Sequence, residues 1–157
     1  MKFTPIGIIH TPFLEPENMP IQPTGAADIK GTVEVFGDFQ AGLKDLDGFS
    51  HIILLYHFHR SHVFDLQVIP FMDTVPRGLF VTRAPKRPNP IGLSIVKLDK
   101  IDDGVLYIRN VDILDGTPLL DIKPYVPEFD AQANVTIGWF EKSKKNIPIL
   151  RSDDRFK

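Results

Sequence analysis

The chain has 157 residues, 43% hydrophobic and 24% charged, which fits one soluble globular domain and excludes disorder or fibrous repeats for its bulk. Its formal net charge is −2, so it does not present a polyanion with one wholly basic face, and any phosphate contact has to be local or assembled between subunits. Cysteine is absent, which removes disulfides, thiolate metal sites and a thiol nucleophile, and suits a cytoplasmic protein.

Fourteen prolines and eleven glycines predict short elements joined by turns. Met1 to Phe13 has no long apolar run and is not expected to be a signal peptide. Within it, Phe3 to His10 reads as an opening strand that stops at Thr11-Pro12. Residues 14–27, rich in Pro, Glu and Asn, read as a loop. Gly31 to Phe36 alternates and predicts a strand. Asp38 to Leu46 predicts a short helix, with Asp38 as its cap and Phe39, Leu43 and Leu46 on one side. Ser50 to His59 is a strong strand. Its apolar run, Ile52 to Tyr56, is the longest in the chain and far too short to span a bilayer, so no membrane association is expected. Gly78 to Thr82 is a further strand. Leu93 to Lys100 and Val105 to Asn110 flank Asp102-Asp103-Gly104, a hairpin signal. Leu119 to Ile122 and Asn134 to Phe140 complete the set.

Many short strands with turns between them predict a barrel or sandwich. A doubly wound sheet needs a helix between each pair of parallel strands, and too few helices are on offer. One domain is expected over 3–142, followed by a polar tail over 143–157. Several chemistries lack their motif. There is no G-x-G-x-x-G, no G-x-S-x-G and no H-E-x-x-H. Gly37 and Gly42 have P-loop spacing, but Leu43-Lys44 follows where Lys-Ser/Thr is needed.

Three segments hold candidate chemistry. His51, His57 and His59 share one face of a strand by parity, and His62 follows. A metal site from His57, His59 and His62 competes with a polar strand end lining a pocket. The second reading is favoured, and no metal is expected. Thr82 to Ser94 is the most unusual stretch. Pro85, Pro88 and Pro90 fix three φ angles and hold Arg83, Lys86 and Arg87 on a stiff frame. Such a frame lowers the entropy cost of placing a guanidinium against a carboxylate or phosphate. The alternatives are a rigid corner with solvated charges and, more weakly for a segment between two strands, an Arg-x-Pro-x-x-Pro ligand for a partner's aromatic groove. Val111 to Asp121 is the third segment. Asp115-Gly116 makes a tight turn, and Asp112 and Asp115 offer acceptors to hydroxyls or an ammonium. Calcium is not expected, because the ladder of alternating acidic ligands is absent.

Taken jointly, these segments resemble the TsaA/TrmO family of S-adenosylmethionine-dependent tRNA methyltransferases. Ile6 to Pro12 resembles the family's opening strand, and Gly42 to Ile53 its passage from helix to strand. His57-Phe58-His59 ends that strand. Arg83 to Ser94 and Asp112 to Tyr125 resemble its two most diagnostic blocks. The resemblance implies a mostly β fold: a single-sheet antiparallel β-barrel with short helices in the connections. It also implies a homodimer with S-adenosylmethionine bound near the subunit interface. The implied activity is methylation of N6 of threonylcarbamoyl-adenosine beside the anticodon of tRNA. Carried over by position, Pro23, Thr24, Gly25, His59, Arg60, Arg83, Leu93, Asp112, Ile113, Leu114, Asp115, Gly116 and Thr117 line the cofactor site. Bacterial members carry an additional C-terminal domain, and this sequence departs from them by ending soon after Phe140.

The residue types suit that chemistry. Methyl transfer is an in-line displacement in which positioning supplies much of the acceleration. Arg83 suits the cofactor's carboxylate, and Asp115 with nearby carbonyls suits its hydroxyls, amine or sulfonium. His59 and Asp115 are the candidate proton acceptors. Arg77, Lys86 and Arg87, with Lys142, Lys144 and Lys145, form the expected local basic surface for tRNA. Two other functions stay open on the sequence: a non-catalytic S-adenosylmethionine-binding module and a histidine-metal barrel enzyme.

Overall fold

The computed structural model describes residues 2–21, 25–142 and 151–153. Six strands close into one antiparallel barrel: β1 (Gly7–His10), β2 (Lys30–Val35), β3 (His51–His57), β6 (Ile91–Asp102), β7 (Val105–Arg109) and β8 (Thr117–Pro124). Two short strands, β4 (Gln67–Val68) and β5 (Arg77–Gly78), form a separate ribbon within the long β3–β6 connection. The order around the barrel is β1-β2-β7-β6-β3-β8, with β8 pairing back onto β1.

The alternation of the sequence becomes the inside and outside of the barrel. In β3, Ile52, Leu54 and Tyr56 are buried, while His51, Ile53, Leu55 and His57 face outward and are half-buried. Gly92, Ser94, Val96 and Leu98 are the buried residues of β6. Ile9, Val33, Val35, Leu106, Ile108, Val111, Ile113 and Leu119 complete the interior. A barrel this narrow encloses side chains and no channel. Its apolar filling holds the strands together, at roughly 25 cal/mol for each Å² of apolar surface removed from water. Asp103 at φ 46° and Gly104 at φ 76° make the two-residue turn between β6 and β7. Both central residues need φ > 0 there, which is why Asp-Gly is a hairpin signal.

Antiparallel neighbours put the ends of β1, β3 and β7 at one rim, together with the starts of β2, β6 and β8. The long connections 11–29, 58–90 and 110–116 therefore gather above that rim. The opposite rim carries the tight β6–β7 turn and the β2–β3 connection.

Several expected elements take another form. The helix expected over Asp38 to Leu46 is a 3-10 turn at Gly37–Leu43 followed by another at Leu46–Gly48, and Asp38 makes no capping bond. Asp45, at φ 65°, interrupts the run between them. The strand expected from Gly78 to Thr82 is only the second residue of β5, and a 3-10 turn at Leu79–Val81 follows. No strand forms from Asn134 to Phe140. Asn134 and Gly138 both have φ 57°, which breaks an extended run, and a 3-10 turn covers Gly138–Lys142. β1 begins at Gly7, not at Phe3. A single short α-helix is described, Pro127–Asp130.

Of the expected polar tail, residues 151–153 are described, and they are tied to the long β1–β2 loop. Pro20 and Arg151 form an isolated bridge, and Ser152 N donates to Met19 O at 2.9 Å. Lys144, Lys145 and the side chain of Lys142 lie outside the described residues. Among the described residues, no helix is long and apolar enough to cross a membrane.

Candidate active site

A cavity of about 540 Å³ opens at the rim where the long connections gather, within the range that small ligands occupy. Its walls come from the segment after β3, the proline-arginine loop, the start of β6, the β7–β8 turn and the β1–β2 loop. Phe58, Phe71, Met72, Leu93, Trp139 and Phe140 make much of it apolar. Trp139 and Phe140 stack with centroids 4.0 Å apart, and Trp139 Nε1 donates to Val81 O at 2.8 Å.

Beneath the cavity runs a chain of three polar groups. Ser94 Oγ donates to Asp112 Oδ1 at 2.7 Å, and Tyr56 Oη lies 3.0 Å from Ser94 Oγ. A serine has one hydroxyl proton, and Ser94's is committed to Asp112, so Tyr56 is the donor to Ser94. The sheet makes this meeting possible. Tyr56 pairs with Gly92 across β3 and β6, and Leu54 with Ser94. A Cβ on Gly92 would collide with the Tyr56 ring, so only glycine lets the ring lie flat across β6. A register shift in the β3–β8 pairing between Leu55 and Tyr56 falls at this same point, where a bulge can re-aim a side chain.

Electrostatics mark Asp112 as unusual. Burial pushes its carboxyl up to about 6, against the Ser94 hydrogen bond, its own backbone amide and the Arg83 charge, all of which favour the carboxylate. Burial, followed by the Asp112 charge, also pushes the Tyr56 hydroxyl well above its ordinary value, so it stays a neutral donor. Arg83 is exposed. It makes no hydrogen bond or ion pair among the described residues, although its loop is firmly held. Arg87 Nη1 donates to Thr82 O at 3.0 Å and to Ala84 O at 3.4 Å, and Ser61 Oγ donates to Pro85 O at 3.1 Å.

His59 sits on the cavity wall just past the end of β3. Its Nδ1 is 3.3 Å from Thr117 Oγ1, which itself donates to Leu114 O at 2.7 Å. Thr117 has no second proton to give, so the neutral imidazole carries its proton on Nδ1 and keeps Nε2 as an acceptor. Burial, then the Arg60, His57 and His62 charges, hold His59 below its ordinary value and keep it neutral.

Of the residues singled out in the sequence, His59, Arg60, Arg83, Leu93, Asp112, Ile113, Leu114 and Thr117 line this one cavity. Arg60 is paired with Glu15 at 2.8 Å, and both lie on its wall. Asp115 and Gly116 are off the wall. Asp115 Oδ1 accepts from Thr11 N at 2.9 Å and lies 3.6 Å from His10 Nδ1. Gly116 N donates to Ile9 O at 3.0 Å, so this turn fastens the exit of β1. Gly25 is buried and off the wall. Pro23 and Thr24 lie outside the described residues.

Of the expected basic surface, Arg77 is bound to Asp73 at 2.7 Å and lies 5.7 Å from the centre of the Trp139 ring. Arg87 holds its own loop, and Lys86 makes no ion pair among the described residues. His57 faces outward and His62 is exposed. Among the described residues, no three metal-ligating side chains are grouped. Tyr56, Ser94 and the Trp139-Phe140 pair escaped sequence reasoning. Their only signals were inward parity on two strands and the single tryptophan.

Known proteins share this architecture. The family model of the tRNA-methyltransferase O N-terminal domain matches residues 8–131. A protein of Pyrococcus abyssi named "Probable S-adenosyl-L-methionine-binding protein" is 59% identical over 154 residues, covering 98% of this chain and 84% of its own. A tRNA (adenine(37)-N6)-methyltransferase of Mus musculus is 35% identical over 140 residues, covering 85% of this chain and 32% of its own. The crystal structure of TrmO from Pseudomonas aeruginosa superposes with a TM-score of 0.75 at 39% identity, covering 88% of this chain and 62% of that one. The chain thus spans most of the archaeal relative, but under two thirds of the TrmO chain and about a third of the mouse enzyme. By the match over residues 8–131, the chain belongs to the tRNA-methyltransferase O N-terminal domain family.

Proposed function

We propose that the protein is an S-adenosylmethionine-dependent methyltransferase acting on N6 of an adenosine in tRNA, with threonylcarbamoyl-adenosine beside the anticodon as the modified base. The observation that carries this is the pairing, in one apolar-walled cavity, of an uncommitted guanidinium on Arg83 with the half-buried carboxyl of Asp112. S-adenosylmethionine has the complementary parts: a carboxylate, an ammonium, a sulfonium, ribose hydroxyls and a flat purine. When bound, it supplies a methyl group made electrophilic by the positive sulfur.

The chain's own residues have distinct tasks. Arg83 binds the carboxylate through charge-assisted hydrogen bonds. Asp112 accepts from the ammonium or a hydroxyl. The aromatic and thioether side chains around Trp139 exclude water and present faces on which a purine stacks. His59, neutral and with Nε2 as acceptor, takes the proton that the acceptor nitrogen has to lose. The tRNA (adenine(37)-N6)-methyltransferase name of the mouse relative supports the substrate class.

A homodimer belongs to the same proposal. Its support is the exposed apolar stripe of Ile91, Leu93 and Ile95 on the outer face of β6, of which Ile91 and Leu93 also line the cavity. Light scattering that gives the mass of a monomer would count against it.

Titration calorimetry with S-adenosylmethionine tests the cofactor. Binding is expected at one site per chain and reduced in Arg83→Ala. An absence of heat would defeat the proposal. The name of the archaeal relative motivates a second reading, a binding module without catalysis. Binding without methyl incorporation into any tRNA would establish that reading instead.

A further inference from the structure

The chain Tyr56–Ser94–Asp112 places two buried hydroxyls beneath the cavity. A buried hydroxyl pair beneath a carboxyl costs desolvation that packing alone does not repay. It does, however, fix one oxygen of Asp112. Ser94, 1% exposed and with its proton committed, holds Oδ1 at 2.7 Å. Tyr56, 5% exposed, holds Ser94 in turn. Asp112 lies on the cavity wall, and among the described residues Ser94 is the one side chain that hydrogen-bonds its carboxyl.

We propose that Ser94 and Tyr56 are positioning residues that hold Asp112 as a carboxylate, so that its second oxygen anchors the cationic part of the cavity's ligand. This rests on the cofactor reading above and deepens it, because it assigns the anionic half of the site and the two residues that set it. The groups facing Asp112 are Tyr56 from β3, Ser94 from β6 and Arg83 from the proline-arginine loop. Two of them, Ser94 and Arg83, favour its charged form, and burial opposes it. Without Ser94 the balance moves toward a neutral acid, which accepts a cation poorly.

The test has two readouts on the wild type, Ser94→Ala, Tyr56→Phe and Asp112→Asn. The first is an NMR titration of the Asp112 carboxyl carbon in the ligand-free protein. A wild-type midpoint near 6 is expected, with a higher one in Ser94→Ala and a smaller rise in Tyr56→Phe. The second is S-adenosylmethionine affinity between about pH 5 and pH 7.5. Wild-type affinity is expected to fall about tenfold per pH unit below the carboxyl midpoint. The fall should begin at higher pH in Ser94→Ala and be absent in Asp112→Asn.

An unchanged carboxyl midpoint in a folded Ser94→Ala variant would overturn the positioning role. A shifted midpoint with a pH-independent affinity would overturn the anchor. An absence of binding by the wild type at every pH would overturn the cofactor reading and its anchor together. The carboxyl titration would then still decide whether Ser94 governs Asp112.

Discussion

His59 and Thr117, 58 positions apart, meet at the cavity wall through Nδ1 and Oγ1, 3.3 Å from each other. Because Thr117 gives its proton to Leu114 O, this contact selects the imidazole tautomer with Nε2 as acceptor. If His59 is the base, His59→Ala should lower kcat by about a hundredfold or more while cofactor affinity changes little. Thr117→Val, which removes the acceptor for Nδ1 together with the bond to Leu114 O, should lower kcat by about fivefold to tenfold. The sign of the pH dependence follows from the depressed His59 value. The rate should fall as pH drops through a midpoint below 6.5, the ordinary histidine value, and be flat above it. Steady-state kinetics over pH check this. A His59→Ala variant with full kcat would remove His59 from the reaction.

Arg83→Ala should leave thermal unfolding unchanged, because the side chain is exposed and bonds to nothing described. It should weaken S-adenosylmethionine binding by about tenfold or more, the loss expected for a hydrogen bond to a charged group, on the order of 1.5–3 kcal/mol. Calorimetry measures the affinity. Equal affinity in wild type and variant would take Arg83 out of the site.

Gly92→Ala should destabilise the fold by about 1–3 kcal/mol, since a Cβ there has no space beside the Tyr56 ring. Denaturant unfolding reads this directly. The same change displaces Tyr56 from Ser94, so cofactor affinity should fall as well. A variant as stable as the wild type would contradict the packing described between β3 and β6.

The basic surface allows an asymmetric prediction. Arg77 is already paired with Asp73, and Arg87 is spent on the Thr82 and Ala84 carbonyls. Lys86 has no such commitment among the described residues. Lys86→Ala should therefore lower the slope of log affinity against log salt for tRNA by roughly 0.7 to 1. Arg77→Ala should alter it less. Filter binding at several salt concentrations decides between them, and an equal effect of the two variants would show that the Asp73 pair opens on RNA.

Much of the barrel was legible because alternation maps directly onto inside and outside. Ile52, Leu54 and Tyr56 face inward as their spacing requires, and Asp103-Gly104 turns where its left-handed backbone allows. The segment from Asn134 to Phe140 reads as a strand in sequence and forms none. Its apolar residues look like half of a strand, but two positive φ angles break it, and Trp139 packs over the rim of the cavity. Asp38 to Leu46 has helical periodicity, but without a cap, with Gly37 before the run and Gly42 in it, it winds only as a 3-10 turn. In the site, Arg83 stood out because three prolines frame it. Tyr56 and Ser94 did not, because parity reveals that a residue faces inward and not which residue it meets there. Their contact depends on the β3–β6 register and on the missing side chain of Gly92. Asp115 and Asp112 looked equivalent in sequence. Only the turn geometry separates them, sending Asp115 to Thr11 and Asp112 to the cavity.

Methyl transfer itself is the decisive readout. Purified protein, S-adenosylmethionine and tRNA carrying threonylcarbamoyl-adenosine are incubated together, and the nucleosides are analysed by mass spectrometry. A mass gain of one methyl group on that nucleoside is expected, lost in His59→Ala and reduced in Arg83→Ala. An unmethylated nucleoside, in the presence of cofactor binding proved by calorimetry, would contradict it.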